Sequence, residues 1–266
     1  MRRLSAFINK FRPAVFKKPR IHLYALCWNE SHMLPFFFQH YDTIVDRYFI
    51  FDNHSTDDSK TLLENHPRVT LGQFDVEGRS FVQAAQQFNN NCWKSSRGCA
   101  DWVIVCNIDE HLYHTNLLQY LNRCRRRGIS LIRPKGYEMV SSRFPIGSQP
   151  LHEQVRRGMP THHMNKPQLF APDSIDEINF APGRHTATPQ GHVQSPILKQ
   201  VKLLHYKYLG LAYMSGRLSE LRAGLREGDI EKNWGISTCG MTSRRSMTSR
   251  GFSVPPYRSS EFPVRV

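Results

Sequence analysis

No stretch of this 266-residue chain approaches the roughly 20 consecutive apolar residues that a membrane-spanning helix needs. The N-terminus is basic but lacks a continuous apolar run, so it does not read as a secretory leader, and the chain is expected on the cytoplasmic side. The six cysteines (Cys27, Cys92, Cys99, Cys106, Cys124 and Cys239) include no CxxC pair. Buried reduced thiols are therefore expected rather than a cysteine zinc site. Internal repeats and coiled-coil heptads are missing as well. Acidic residues are scarce: 22 Asp and Glu stand against 36 Lys and Arg, a formal charge of +14. That balance favours polyanionic partners, namely nucleotides, nucleic acid or an anionic membrane surface. The basic residues are scattered and come with no RNA or DNA motif, which counts against nucleic acid.

What is present suffices for a packed core, with 39% hydrophobic and 11% aromatic residues. Three regions are expected. Residues 1–20 are a basic segment in which Leu4, Phe7, Ile8 and Phe11 fall at helical spacing; it is either a surface anchor for anionic lipid or a frayed tail. Residues 21–228 form the main domain. Residues 229–266, rich in Ser, Thr, Arg and Gly, read as a poorly ordered basic tail.

Within the domain, strand-like runs at 21–28, 47–51, 69–74 and 102–106 alternate with helical patterns at 33–41, 60–65 and 81–94. Such alternation predicts an α/β fold with a largely parallel central sheet flanked by helices. Residues 117–127 read as a helix with a basic end, 130–133 and 202–209 as strands, and 214–226 as a helix. Between 141 and 200 periodicity weakens, and short strands with long loops are expected over a site.

Polar residues cluster where three strands end: Asn29 and Glu30, Asp52 and Asn53, Asn107 and Asp109. Ligands of open α/β sheets bind beyond the carboxyl ends of the strands. The run 101–111 is the sharpest instance, an apolar strand that stops in Asn107, Asp109 and Glu110. Hard oxygen donors of this kind suit Mg²⁺ or Mn²⁺ shared with substrate phosphates. His111 and His114 have HxxH spacing but follow a strand rather than lie on a helix, so a zinc hydrolase built on them is a distant reading.

The Asn29-Glu30 strand end, the turn 52–57, the Asn107-Ile108-Asp109-Glu110 terminus, Gly183-Arg184-His185 and Leu204-His205-Tyr206 together resemble the family-2-like glycosyltransferases of the GT-A fold. The likeness is to a bacterial branch with DxDE-like, Gly-x-His and Leu-His-Tyr motifs, and it spans about residues 20–225. It implies a GT-A-like, Rossmann-like domain with a loop-rich C-terminal half. It also implies a nucleotide-sugar donor, UDP-linked by expectation, a divalent metal (Mn²⁺ or Mg²⁺), and a carbohydrate or lipid-linked acceptor in surface polysaccharide or glycolipid assembly. Asp52 would then hold the base or ribose, with Asn29, Glu30, Asn53 and Asp57 nearby. Asp109 would hold metal and diphosphate, helped by Asn107 or Glu110, and His205, or second to it His185, would complete the metal shell. Glu138 and Glu177 lead the candidates for the base of an inverting transfer, and His185 stands with them among the catalytic candidates. Asn107 departs from the family's aspartate, and a neutral amide is a poorer ligand for a hard cation. That departure motivates a rival reading, a non-catalytic nucleotide-sugar or carbohydrate binder.

Overall fold

The computed structural model describes residues 18–234. Nearly all of the basic N-terminal segment, and the tail after residue 234 with Cys239, lie outside the described residues. Among the described residues no helix is long and apolar enough to cross a membrane.

The central sheet is laid down by β1 (Ile21–Cys27), β2 (Arg47–Asp52), β3 (Val69–Gln73) and β4 (Trp102–Val105), joined through α1 (Leu34–Tyr41), α2 (Ser59–Glu64) and α3 (Phe81–Asn91). These four strands are mutually parallel where they pair. The alternating residues of β4 explain its unbroken apolar run. Trp102, Ile104 and Cys106 enter one core cluster, and Val103 and Val105 enter the other on the opposite face. On β1, Ile21, Leu23 and Ala25 join the first cluster and Tyr24 the second. Helix α1 covers the first face with Leu34, Phe36, Phe37, Phe38 and Tyr41, and Pro35 sits in its first turn, where no backbone donor is lost.

The sheet is completed by β6 (Leu131–Ile132) and β9 (Leu169–Phe170), giving the order β3-β2-β1-β4-β9-β6, with β9 antiparallel to both neighbours. The chain winds from β1 outward to β3 and then returns to the far side of β1 at β4. The topological switch point therefore lies between β1 and β4, and the carboxyl ends of strands at such a point are where open α/β sheets bind their ligands.

A second sheet has the order β5-β12-β7-β8, from β5 (Glu110–Tyr113), β7 (Lys135–Ser141), β8 (Gly158–Pro160) and β12 (Lys202–Leu209). Strand β5 was not expected, because its residues are Glu, His, Leu and Tyr rather than an apolar run; Glu110 and His111 are nonetheless buried. Only residues 106–109 separate the first sheet from the second. Helix α4 (Leu117–Arg126) ends in the basic run as expected. Helix α6 (Leu211–Ala223) starts three residues before the expected 214, because Gly210, at φ +83°, turns the chain directly from β12 into it. Helix α3 stops at Asn91 and runs on as a 3₁₀ turn to Ser96, whose buried hydroxyl bonds His22 Nδ1 and Tyr24.

After the short α5 (Leu151–Gln154), the last described helix is α7 (Glu227–Glu231), which straddles the expected boundary at 229. Its Asp229 is fully buried and accepts from the Ser80 hydroxyl (2.6 Å) and from the backbone N–H groups of Phe81 (3.0 Å) and Val82 (3.1 Å). Asp229 thus caps α3 from a distant segment. Replacing it by Ala is expected to cost about 2 kcal/mol, the upper end for a lost helix cap. Urea unfolding would show this, and an unchanged midpoint would remove Asp229 from the account.

Three histidines pack between α1, β5 and α5. His40 stacks on His111 with ring centroids 4.7 Å apart, and His152 lies 6.2 Å from His40. Burial pushes His40 down to about 4, and His111 well below the ordinary 6.5. Both are neutral when folded and protonate more readily when unfolded. Their contribution to stability is therefore complete above pH 6.5 and is lost as pH falls through about 4. His111→Phe should flatten the pH dependence of the urea midpoint over that window; an unaltered slope would contradict the assignment.

Candidate active site

The four residues that carry the chain from β4 to β5 hold the site. Asp109 takes part in the second sheet already, since its carbonyl accepts from Tyr206 N–H at 2.9 Å. Register then sets a transverse row across that sheet: Glu110 on β5 pairs with His205 on β12, His205 with Glu138 on β7, and Glu138 with Met159 on β8. Residues in register share a face.

His205 is the hub of this row. Its Nδ1–H donates to Glu138 Oε2 at 2.7 Å and its Nε2–H to Asp109 Oδ2 at 3.0 Å. Burial alone would lower its pKa, but Asp109 and then Glu138 outweigh it and push the group up to about 10. Asp109 in turn is held below the usual carboxylate range: burial pushes it up, and the His205 cation more than offsets that. Glu138 therefore orients the ring by holding Nδ1–H and leaves Nε2 beside Asp109. A carboxylate behind a histidine is the arrangement that fixes a metal ligand's tautomer and direction.

Glu110 has a different part. It is fully buried, and both oxygens are engaged: Oε1 with Lys166 Nζ at 2.6 Å, Oε2 with Arg184 Nη2 at 3.1 Å and with the Asn107 N–H at 3.2 Å. Burial would raise its pKa, but Lys166 and then Arg184 hold it well below the usual range. Arg184 Nη2 also donates to Asn107 Oδ1 at 2.8 Å. Asn107 is thereby a neutral acceptor for a cation already paired with Glu110. The triad ties the β4–β5 crossing to the loops at 166 and 184.

Asp109, Glu110 and His205 present ligand atoms within 4.8 Å of one another. Because Glu110 is spoken for by two cations, the donors left for a metal are the Asp109 carboxylate and His205 Nε2, whose proton a metal would displace. One carboxylate and one imidazole at a half-open site fit Mn²⁺ or Mg²⁺ that draws its other oxygens from water and a diphosphate.

The remaining sequence candidates fall in distinct places. Asp52 ends β2, two strand spacings or about 10 Å from β4. Its Oδ2 accepts from Ser55 N–H at 3.1 Å, while its Oδ1 is buried without a partner. A buried unpaired carboxylate oxygen is costly, and a ligand N–H or O–H would satisfy it. Asn53 lies beside it, its N–H on the Cys27 carbonyl at 2.8 Å. Asn29 and Asp57 lace the β1 and β2 loops together. Asn29 Oδ1 accepts from Thr56 N–H at 2.8 Å, and Asp57 accepts from the N–H groups of Ser31 and Ser59, each at 3.0 Å. Glu30 is ion-paired with Arg217 of α6 at 2.6 Å, and Arg217 opposes the upward push that burial gives the Glu30 carboxyl.

Glu177, on β10 (Ile175–Glu177), bonds Lys94 at 2.6 Å and has no hydrogen bond to Asp109 or His205. His185 donates Nδ1–H to the His163 carbonyl at 2.8 Å; burial, then the nearby Lys166 cation, lowers its pKa. Its ring folds over Gly183, where an added Cβ would lie 2.7 Å from Nε2, so the Gly-x-His spacing has a steric cause. His111 and His114 go to separate surroundings, His111 against His40 and His114 stacked on Tyr120.

Sequence reasoning assigned no role to Arg184, Arg217 or Lys166. Arg184 could have been read from its place between Gly183 and His185. Arg217 sits on an otherwise plain surface helix and gave no local sign.

No family model matches this chain, and no curated protein is significantly similar to it. Among solved structures, S. aureus TarS aligns with 79% of this chain and 41% of its own, with TM-score 0.40 and 11% identity. Glucosyl-3-phosphoglycerate synthase from Mycobacterium tuberculosis, in complex with phosphoglyceric acid, aligns with 63% of this chain and 62% of its own, with TM-score 0.37 and 16% identity. The chain thus spans less than two thirds of the length of either protein.

Proposed function

We propose that this chain is a GT-A-type glycosyltransferase that moves a sugar from a nucleotide-diphosphate donor, UDP-linked in our reading, to a hydroxyl acceptor of carbohydrate or lipid-linked class. The observation that carries the reading is the Asp109–His205–Glu138 chain of hydrogen bonds just beyond the carboxyl end of β4, beside the β1/β4 switch point. The unpartnered Asp52 oxygen two strands away supports it as a place for the nucleoside.

A divalent metal held by Asp109 and His205 would neutralise the diphosphate as it departs. The chain's own residues do the rest. Glu138 keeps the His205 ring fixed. Glu110, held by Lys166 and Arg184, anchors the loop that presents Asp109. The Lys166 and Arg184 cations outnumber Glu110 by one charge, which favours an anionic leaving group nearby.

The test is release of nucleoside diphosphate from a panel of nucleotide-sugars, with Mn²⁺ and with EDTA. Metal-dependent release with one nucleoside class is expected. Nucleotide binding without turnover would return the chain to the non-catalytic binder, and no response to any donor would end the reading.

Glu138→Gln separates orientation from base catalysis. Gln still accepts from Nδ1–H, so an orienting role predicts about tenfold weaker metal affinity, recovered at high Mn²⁺. A base would leave a turnover loss of at least about a hundredfold that Mn²⁺ does not restore.

A further inference from the structure

Behind the Gly183-Arg184-His185 loop, between that loop and α3, lies a solvent-open pocket of about 360 Å³, with Thr186 and Thr188 on its exposed rim. This is at the low end of the roughly 300 to 1,000 Å³ typical of small-molecule sites. Its polar wall is made of Gln86, Asn90, Asn179, Thr186 and Thr188, and no lining residue is charged. In a chain of net charge +14 that neutrality is selective. The site has no cation for a phosphate or carboxylate and no anion for an amine.

The cavity is held in shape. Gln86 Nε2 donates to the Phe180 carbonyl at 2.8 Å, and the Phe180 N–H donates to Asn90 Oδ1 at 2.7 Å, so α3 holds both backbone polar groups of one loop residue. The loop bends through left-handed backbone at Asn179 (φ 50°), Gly183 (φ 70°) and Arg184 (φ 58°). The Gln86 amide oxygen and the Thr186 and Thr188 hydroxyls are left without an internal hydrogen-bond partner among the described residues. Pro182 and Ala181, on the apolar wall, lead directly to Arg184, which bonds Asn107 and Glu110.

Amide and hydroxyl groups set against short apolar walls are matched to the alternating hydroxyl and C–H faces of a sugar ring. We infer that this cavity is a subsite for one uncharged saccharide residue. The inference deepens the transferase reading and rests on it for the sugar's source, which is either the donor's sugar or a residue of the acceptor.

The experiment uses the full chain and two variants at exposed positions, Thr188→Trp to fill the cavity and the double change Thr186→Val with Thr188→Val to remove its hydroxyls. Saturation-transfer NMR with methyl glycosides of neutral, N-acetylated, amino and uronic hexoses reads the cavity. Titration of a nucleoside diphosphate and of its sugar conjugate, with Mn²⁺, reads the donor site. Neutral or N-acetylated glycosides are expected to bind, the charged ones not, and Thr188→Trp to weaken sugar binding by about tenfold or more. If the subsite belongs to the donor, the variant weakens the sugar conjugate but not the nucleoside diphosphate. If it belongs to the acceptor, both keep their affinity and only the free glycoside is lost. Wild-type binding that neither variant alters, equal binding of charged glycosides, or no sugar binding in either arm overturns the inference. Loss of Mn²⁺-dependent nucleotide binding with glycoside binding intact would instead overturn the transferase reading and leave the cavity assigned.

Discussion

Glu110→Gln is expected to destabilise the fold by roughly 3 to 5 kcal/mol, the cost of stranding buried charge. The carboxylate is fully buried, and the side chains of its partners Lys166 and Arg184 are 5% and 4% exposed. With the anion gone, two cations face each other in a low-dielectric interior. Against a total stability of about 5 to 15 kcal/mol for a domain, the loss is a large fraction. Lys166→Met is the control: it leaves one anion against one cation and should cost clearly less. The same carboxyl, held below its ordinary 4.5, contributes in full above that pH and loses its contribution as pH falls below it. Urea denaturation of both variants reads the difference. Equal costs, or a cost under about 1 kcal/mol for Glu110→Gln, would mean that solvent reaches the triad.

Asp109→Asn has the opposite profile: intact fold, lost activity. Its carboxylate bonds His205, and its backbone carbonyl, which bonds Tyr206, is untouched by the change. An amide oxygen can still accept from Nε2–H, and Glu138 still balances the His205 ring, so the loss of stability should be clearly smaller than that of Glu110→Gln. Metal and diphosphate, however, would lose the one free carboxylate. If that contact supplies several kcal/mol in the transition state, turnover falls by about a thousandfold. The fall should persist in excess Mn²⁺, unlike that of Glu138→Gln. A variant that unfolds, or one that keeps most of its turnover, would remove Asp109 from the central role.

The first half of the fold was legible because burial on both faces leaves a mark. The runs at β1 to β4 and the spacing of α1 to α3 place those elements to within three residues, the largest miss being the end of α3, which gives way to a 3₁₀ turn after Asn91. β5 was illegible for the converse reason. Its Glu110 and His111 are polar yet buried, and only long-range partners, Lys166 and His40 among them, make that tolerable. The crossing from one sheet to the other at 106–109 follows from β5 and was hidden with it.

At the site, the strand-end clusters brought Asp52 and Asp109 to notice, since each follows an apolar run, and His205 was reached through the Leu204-His205-Tyr206 motif of the family resemblance. The division of labour among carboxylates was out of reach. Asp57 bonds backbone N–H groups, Glu177 bonds Lys94, Glu138 bonds His205, and Glu110 bonds two cations. All four are acidic residues in a polar context, and only the fold distinguishes a cap from a surface pair, a ring holder or a charge anchor. Arg217 reaches Glu30 across 187 positions of sequence, a pairing with no local trace.

The most direct test of the central claim is calorimetric titration of a panel of nucleoside diphosphates and nucleotide-sugars into the wild-type chain, with and without Mn²⁺, and into Asp109→Ala. The site described here predicts binding of one nucleoside class, UDP in our reading, that requires Mn²⁺ and disappears in the variant. Binding that ignores Mn²⁺ and survives Asp109→Ala, or no binding to any nucleotide, would contradict it.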